Sequence, residues 1–245
     1  MPDVSLRFLG SGDAFGDCGR FQACLLLDTP IGRALLDCGA TSLVAMKRFN
    51  VDPSSIRTVL ISHLHGDHFG GLPFLILDGQ FSRRDLPLTI VGPPGVRDRT
   101  EAAMEVFFPG SSGVQRRFHV DFVELSDRSP LSVGPFEVTA FPVDHASGAP
   151  AFALRVRCVD ATVAYTGDTA WTDALLEAAT GADLLVAEAY TAHGPVRFHL
   201  DYADILSHER DLNARRIVLT HMGPSMLALV DSAFERAYDG LTIAI

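Results

Sequence analysis

Short runs rich in Val, Leu, Ile and Phe, several of them alternating with polar positions, recur along the chain and are bounded by Gly, Pro, Asp and Ser. Their length and period predict strands at residues 4–9, 23–28, 33–37, 58–62, 88–91, 121–124, 136–142, 151–158, 162–166, 184–187, 216–220 and 241–245. Between them, apolar positions three and four apart predict helices over 42–50, 95–108, 172–179, 203–213 and 225–238. The chain is therefore α/β. In "LLLDTPIGRALLD" two strand patterns are joined by a turn and not by a helix, so hairpins coexist with crossovers and the sheets must be mixed. That disfavours a purely parallel, doubly wound sheet. Strand-rich stretches interleaved with helices recur in both halves, and the expectation is one domain over residues 1–245 built from two packed halves.

Composition narrows the class. With 245 residues, 47% hydrophobic and 20% charged, the chain can bury a core without disulfide staples. Cys18, Cys24, Cys38 and Cys158 lack Cys-x-x-Cys spacing, which argues against a zinc ribbon and for reduced, packed thiols. The apolar runs fall short of the roughly 18 residues that span a bilayer, and the first residues lack a basic and apolar leader pattern. A soluble cytoplasmic protein is expected. The formal net charge of -10 offers no general attraction to polyanions, so RNA would need a local basic patch that does not show as a run.

The candidate chemistry sits in "LISHLHGDHFGG", where His63, His65, Asp67 and His68 crowd directly behind an apolar run. Imidazoles and carboxylates packed beside a buried strand need a compensating partner, and a metal cation supplies one. On an extended backbone, His63 and His65 point the same way, while Asp67 and His68 can turn to a second point. Gly66, Gly70 and Gly71 provide the tight backbone for that divergence. Two adjacent cations are then plausible, and further ligands stand behind other strand-like runs: His145 in "FPVDHASG", Asp168 in "VAYTGDTAW" and His221 in "IVLTHMGPS". A solvated His-rich loop would not need those downstream partners. Asp37 in "LLDCG" reads either as the partner that orients a ligand histidine or as a strand-end turn residue.

The order His-x-His-x-Asp-His, with "FLGSGDAFG", "LLDCG", "TGDT" and "LTHM" in sequence around it, resembles the metallo-β-lactamase superfamily over nearly the whole chain. The resemblance implies a four-layer αββα sandwich of two mixed sheets with the site at one edge. It implies that His63, His65 and His145 hold one metal, that Asp67, His68 and His221 hold the other, and that Asp168 bridges them. Histidine nitrogens and carboxylates suit zinc, with manganese or iron as alternatives. A hydrolase working through a metal-bridging hydroxide is the reaction class such a pair favours.

Within the superfamily the order Glu188, His199, His221 resembles the ribonuclease Z-like branch, including the cyclic phosphodiesterases. There a histidine matching His199 protonates the leaving oxygen, and an acidic residue matching Glu188 orients it; Asp67 joins them in the catalytic set. Phe198 and Leu200 around His199 depart from that pattern. The expected substrate is a small phosphodiester or nucleotide. Only 23 positions separate His145 from Asp168, too few for the RNA-gripping arm of arm-bearing ribonucleases Z. Transfer-RNA 3′ processing and thioester or lactone hydrolysis are the alternatives, and a non-enzymatic metal protein is disfavoured because all seven ligands are present. A homodimer is a further expectation from the resemblance. "GSGDAFG" looks like a dinucleotide fingerprint, yet Phe15 replaces its third glycine and a hairpin follows, so no nucleotide cofactor is expected. His119, His193 and His208 read as surface or helix-face residues.

Overall fold

The computed structural model describes residues 4–245. Its strands in chain order are β1 (Ser5–Gly10), β2 (Cys24–Thr29), β3 (Gly32–Leu36), β4 (Thr58–Leu60), β5 (Leu88–Gly92), β6 (Val120–Glu124), β7 (Leu131–Val133), β8 (Phe136–Val143), β9 (Ala151–Cys158), β10 (Ala161–Tyr165), β11 (Leu184–Glu188), β12 (Ile217–Thr220), β13 (Glu235–Arg236) and β14 (Thr242–Ala244). The helices are α1 (Ser42–Arg48), α2 (Gly66–Phe69), α3 (Leu72–Phe81), α4 (Val96–Phe107), α5 (Ala174–Ala179), α6 (Tyr202–Ser207), α7 (Glu209–Leu212) and α8 (Pro224–Leu227).

The strands form two seven-stranded sheets, β14-β1-β2-β3-β4-β5-β6 and β13-β12-β11-β10-β9-β8-β7. Both are mixed: β2 pairs antiparallel with β1 and β3, whereas β3 to β6 are parallel, and β10 to β13 are parallel beside the antiparallel β9. The two-residue period of the strands sends alternate side chains to opposite faces. Phe8, Leu25 and Leu36 of the first sheet thus meet Phe136, Leu154 and Val186 of the second in one buried cluster, and the sheets pack face to face. On the outer face of the first sheet, Leu35 and Val59 pack with Met46 of α1, Leu75 of α3 and Met104 of α4. The second sheet's outer face packs Leu185 and Leu219 against Leu175 of α5 and Ile205 of α6. The result is the expected αββα order of layers. Among the described residues no helix is long and apolar enough to cross a membrane.

Three expectations need correction. The helix expected over 225–238 is only the single turn α8, because Arg236 Nη1 donates to the carbonyls of Met226 and Leu229, and β13 is drawn off to pair with β12. The helix expected over 203–213 breaks at His208, whose Nδ1 donates to the Asp204 carbonyl at 2.9 Å while its ring stacks on Trp171 at 3.6 Å. The third concerns α3, where no helix was expected: LPFLILDGQF is apolar around most of its circumference, so it carries no amphipathic period.

Phe136 belongs to the intersheet cluster and is 2% exposed. Phe136→Ala should lower the free energy of unfolding by about 3–5 kcal/mol, read from the midpoint and slope of urea denaturation.

Candidate metal centre

Parallel strands within one sheet end at one edge, and the two sheets present those carboxyl ends together. Asp37 follows β3 and His63 follows β4; His145 lies beyond β8, Asp168 beyond β10, Glu188 ends β11, and His221 follows β12. The structure brings all seven expected ligands, together with Glu188 and His199, into one place. The nitrogens and oxygens fall into groups whose members lie within 4.8 Å of one another: His63, His65 and His145; Asp67, His68, Asp168 and His221; and Asp168, Glu188, His199 and His221.

The local backbone explains how four neighbours diverge. His65 is extended, with φ −87° and ψ 151°, so His63 and His65 share one side, and their rings lie 5.0 Å apart. The chain then turns into α2, which carries Asp67 and His68 to the second group. Close approach requires a glycine at Gly71, because a β-carbon there would sit 2.3 Å from the Gly39 carbonyl oxygen. Gly66 carries no such requirement: a β-carbon there would meet nothing, so the turn rests on the other two glycines of the motif.

Buried charge sets the electrostatics. Burial alone would push the Asp168 carboxyl up, but His221 and His68 outweigh it and hold the group well below the usual carboxylate range. Asp67 is likewise held down by His68 and His221 against the effect of burial. Burial lowers an imidazole's affinity for its proton, yet Asp168 and Asp67 raise His68 well above its ordinary value, and Asp168, Asp67 and Glu188 raise His221 to about 10. The two carboxylates therefore demand positive charge. His63, by contrast, is held neutral by burial and by the neighbouring His68.

Whether a cation fits can be read from the atoms themselves. His63 Nε2, His68 Nε2 and Asp168 Oδ1 are buried and have no hydrogen-bond partner. His68 Nε2 is 3.3 Å from Asp168 Oδ1 and His63 Nε2 is 3.9 Å from Asp168 Oδ2, so these groups converge without making hydrogen bonds to one another. His65 Nδ1 and His145 Nε2 meet at 3.0 Å, and His221 Nε2 lies 3.3 Å from Asp67 Oδ2 and 3.4 Å from Asp168 Oδ2. Lone pairs from histidine and aspartate aimed at common points are a divalent-metal donor set. The residues fit the ion.

Two buried carboxylates, one at the edge of each sheet, orient those donors. Asp37 Oδ1 accepts from the Ser62 N–H at 2.7 Å, and its Oδ2 accepts from Ser62 Oγ at 2.8 Å, Tyr165 OH at 2.8 Å and His68 Nδ1 at 2.7 Å. Donation from Nδ1 leaves the Nε2 lone pair of His68 facing the site. Ser62 Oγ in turn accepts from His63 Nδ1 at 3.1 Å, with the same consequence for His63. Of the two readings of Asp37, these bonds favour the orienting partner. On the second sheet, Glu188 Oε2 accepts from the N–H groups of Thr169 at 2.9 Å and Leu200 at 3.3 Å. Its Oε1 accepts from His199 Nδ1 and lies 3.4 Å from His221 Nδ1. Although burial would lower the His199 imidazole's affinity for its proton, the hydrogen bond and charge of Glu188 raise it. His145 donates from Nδ1 to the Phe198 carbonyl at 2.9 Å, turning its Nε2 inward.

Ser62 and Tyr165 were not singled out from the sequence. Ser62 directly precedes the first ligand, and that adjacency is the signal that could have found it. A tyrosine in "VAYTGD" is indistinguishable from a core aromatic until the sheets are packed. His119 and His193 are exposed, and His208 packs on Trp171, away from the site groups.

The sequence model of the family described as anti-Pycsar protein Apyc1 matches residues 4–236. The chain belongs to that family. Ribonuclease Z of Geobacillus kaustophilus is 28% identical over 293 aligned positions, covering 94% of this chain and 93% of that protein. Human tRNase Z, short form (ELAC1), superposes with a TM-score of 0.80 at 25% identity, covering 98% of this chain and 99% of that one. The metallo-β-lactamase fold protein YhfI of Bacillus subtilis superposes with a TM-score of 0.77 at 21% identity, covering 98% and 99%. The fold is thus the metallo-β-lactamase fold, in its ribonuclease Z-like branch.

Asp37→Asn keeps the shape of the side chain and removes the charge behind His68. Titration of the metal-free variant with zinc should show affinity about 10–100-fold weaker than the parent. Equal affinity would mean that Asp37 merely closes a turn.

Proposed function

We propose that the protein is a dinuclear metal-dependent phosphodiesterase acting on a small phosphodiester or nucleotide. The observation that carries this reading is the placement of the His199–Glu188 pair beside a convergent set of seven ligand side chains, with His199 5.2 Å from the His145 ring and 6.0 Å from the His221 ring. His63, His65 and His145 would hold one ion, Asp67, His68 and His221 the other, and Asp168 would be shared, since its oxygens face His63, His68 and His221. Zinc suits the nitrogen and oxygen donors, and manganese also fits. Two such cations supply a water of lowered pKa and draw charge off the phosphate oxygens.

The chain's own residues do the rest. Asp67 turns Oδ2 to His68 and His221, and we assign its other oxygen to orienting the attacking water. His199, whose hold on its proton Glu188 strengthens, gives that proton to the departing oxygen. Glu188 is fully buried and reaches the substrate only through His199, so it is a positioning residue. After proton transfer the imidazole remains fixed by the same carboxylate.

The preference for a small substrate rests on chain length and charge. The alignment with Geobacillus ribonuclease Z runs to 293 positions, more than this chain of 245 residues can fill, so that relative carries several dozen residues without counterpart here. A net charge of -10 likewise opposes a long polyanion. A second reading, cleavage of transfer RNA, is favoured by the names of the relatives.

With zinc or manganese loaded, an aryl phosphodiester should be hydrolysed far faster than a phosphomonoester or a β-lactam. Turnover of a thioester or lactone orders of magnitude above any diester would overturn the reading, and cleavage of transfer RNA in preference to small diesters would replace it with the second.

His199→Ala should leave metal content and folding intact while lowering kcat by about 10²–10⁴-fold on a substrate with an alkoxide leaving group. The loss should shrink for nitrophenolate, which departs without a proton. Loss of metal from the variant would instead make His199 a ligand.

A further inference from the structure

The rim of the site is not electrically uniform. On the His145 side stand two exposed arginines, Arg197 and Arg99, and among the described residues neither has a carboxylate within ion-pair distance. The Arg197 guanidinium sits over its neighbour's ring, its central carbon 4.4 Å from the Phe198 ring centroid. That ring is 6.4 Å from the His145 ring, and the Phe198 carbonyl accepts the His145 Nδ1 hydrogen bond. Phe198 holds a left-handed φ of 68°, unusual for a residue with a β-carbon. The backbone is therefore turned so that consecutive residues do three things: Arg197 presents a guanidinium, Phe198 carries it and fixes His145, and His199 faces the centre. Arg99 approaches from α4; its Nη2 lies 3.4 Å from where a β-carbon on Gly148 would be, three residues beyond His145.

The His221 side carries both signs, with Asp13 and Asp239 beside the Arg20 guanidinium, which donates to Ser11 Oγ at 3.2 Å. The Ser11 carbonyl accepts from the His221 N–H at 3.2 Å and so joins the loop after β1 to the site. In that loop Asp13 is fully buried, its Oδ1 accepts from the Asp17 N–H at 3.0 Å, and its Oδ2 has no donor. An anionic extension of the substrate would be attracted at the rim that carries Arg197 and Arg99. A guanidinium resting on an aromatic face keeps its fork of N–H donors free, and that fork matches a phosphate.

We propose that Arg197, supported by Arg99, forms a subsite for a second anionic group, so that the preferred substrate is a phosphodiester carrying a further phosphate. The proposal rests on the phosphodiesterase reading and names a substrate class within it. The triangle through the Phe198 ring bounds the guanidinium to no more than about 11 Å from the His145 ring, a span that one nucleoside can bridge.

The test compares two chromogenic esters that differ by one phosphate: thymidine 5′-(p-nitrophenyl phosphate) and its 3′-phosphorylated form. The parent enzyme should favour the 3′-phosphorylated ester by about tenfold in kcat/KM, chiefly through KM, as one charge-assisted contact warrants. Arg197→Gln should bring that ratio to near one, and Arg197→Lys should retain part of it. Calorimetry supplies a readout independent of turnover: the tighter binding of thymidine 3′,5′-bisphosphate over thymidine 5′-phosphate should disappear in Arg197→Gln. Hydrolysis of both esters at equal efficiency by the parent, or an unchanged ratio in Arg197→Gln, overturns the subsite alone. Hydrolysis of neither ester by protein that turns over a thioester or lactone overturns the phosphodiesterase reading and the subsite with it.

Discussion

Burying Asp67 and Asp168 where the two sheets meet is the constraint to which the rest of the molecule answers. A carboxylate taken out of water costs several kcal/mol unless opposite charge and hydrogen bonds replace the solvent. Here the replacements come from both sheets: His63 and His68 from the first, His145 and His221 from the second. The sheets must therefore be held in register against each other, and the intersheet cluster that includes Phe8, Phe136 and Tyr165 does that by filling the space between them. Tyr165 takes part in both tasks. Its ring belongs to the cluster, and its hydroxyl crosses from β10 to Asp37 beyond β3, so a single side chain ties core packing to ligand orientation.

The two orienting carboxylates act alike but are built differently. Asp37 sits at a left-handed φ of 59° and gathers four donors from three residues, leaving it little freedom to turn. Glu188 keeps ordinary strand geometry at the end of β11 and spreads its contacts over the Thr169 and Leu200 N–H groups and two imidazoles. His221 also has a left-handed φ, of 53°. Non-glycine residues in that region carry strain of about 1–3 kcal/mol each, and they persist where surrounding bonds over-determine them. At Asp37 and His221 the strain turns a side chain inward at the strand end, where an unstrained continuation would carry it away from the centre.

Much of this was legible in the sequence, for identifiable reasons. Strands such as 151–158 were readable because their apolar runs are bounded by turn residues, and the ligands were readable because each stands immediately behind such a run. The failures have physical causes of their own. Helix α3 is apolar around most of its circumference, which erases the period that would reveal it. Residues 225–238 have helical spacing, but Arg236 and the pairing of β13 with β12 take the backbone elsewhere. The hydrogen bond from Tyr165 to Asp37 joins residues 128 positions apart, and nothing local to either marks the other.

The same reasoning separates what the centre decides from what its rim decides. The ligand side chains and their orienting carboxylates serve any reaction in which a polarised water attacks an electrophile, so they select a reaction class and little more. Selection among substrates must come from groups that do not touch the reacting atoms, and those groups lie on the segments flanking the ligands: the loop after β1, the turn after His145, and residues 196–198. Two of these segments are tied to the centre by their carbonyls: that of Ser11 accepts from the His221 N–H and that of Phe198 from His145 Nδ1. A side chain on them can therefore change without disturbing the donors, provided the carbonyl stays in place. The carbonyls of these segments serve the metal centre, and an exposed side chain such as that of Arg197 is left free to vary with the substrate.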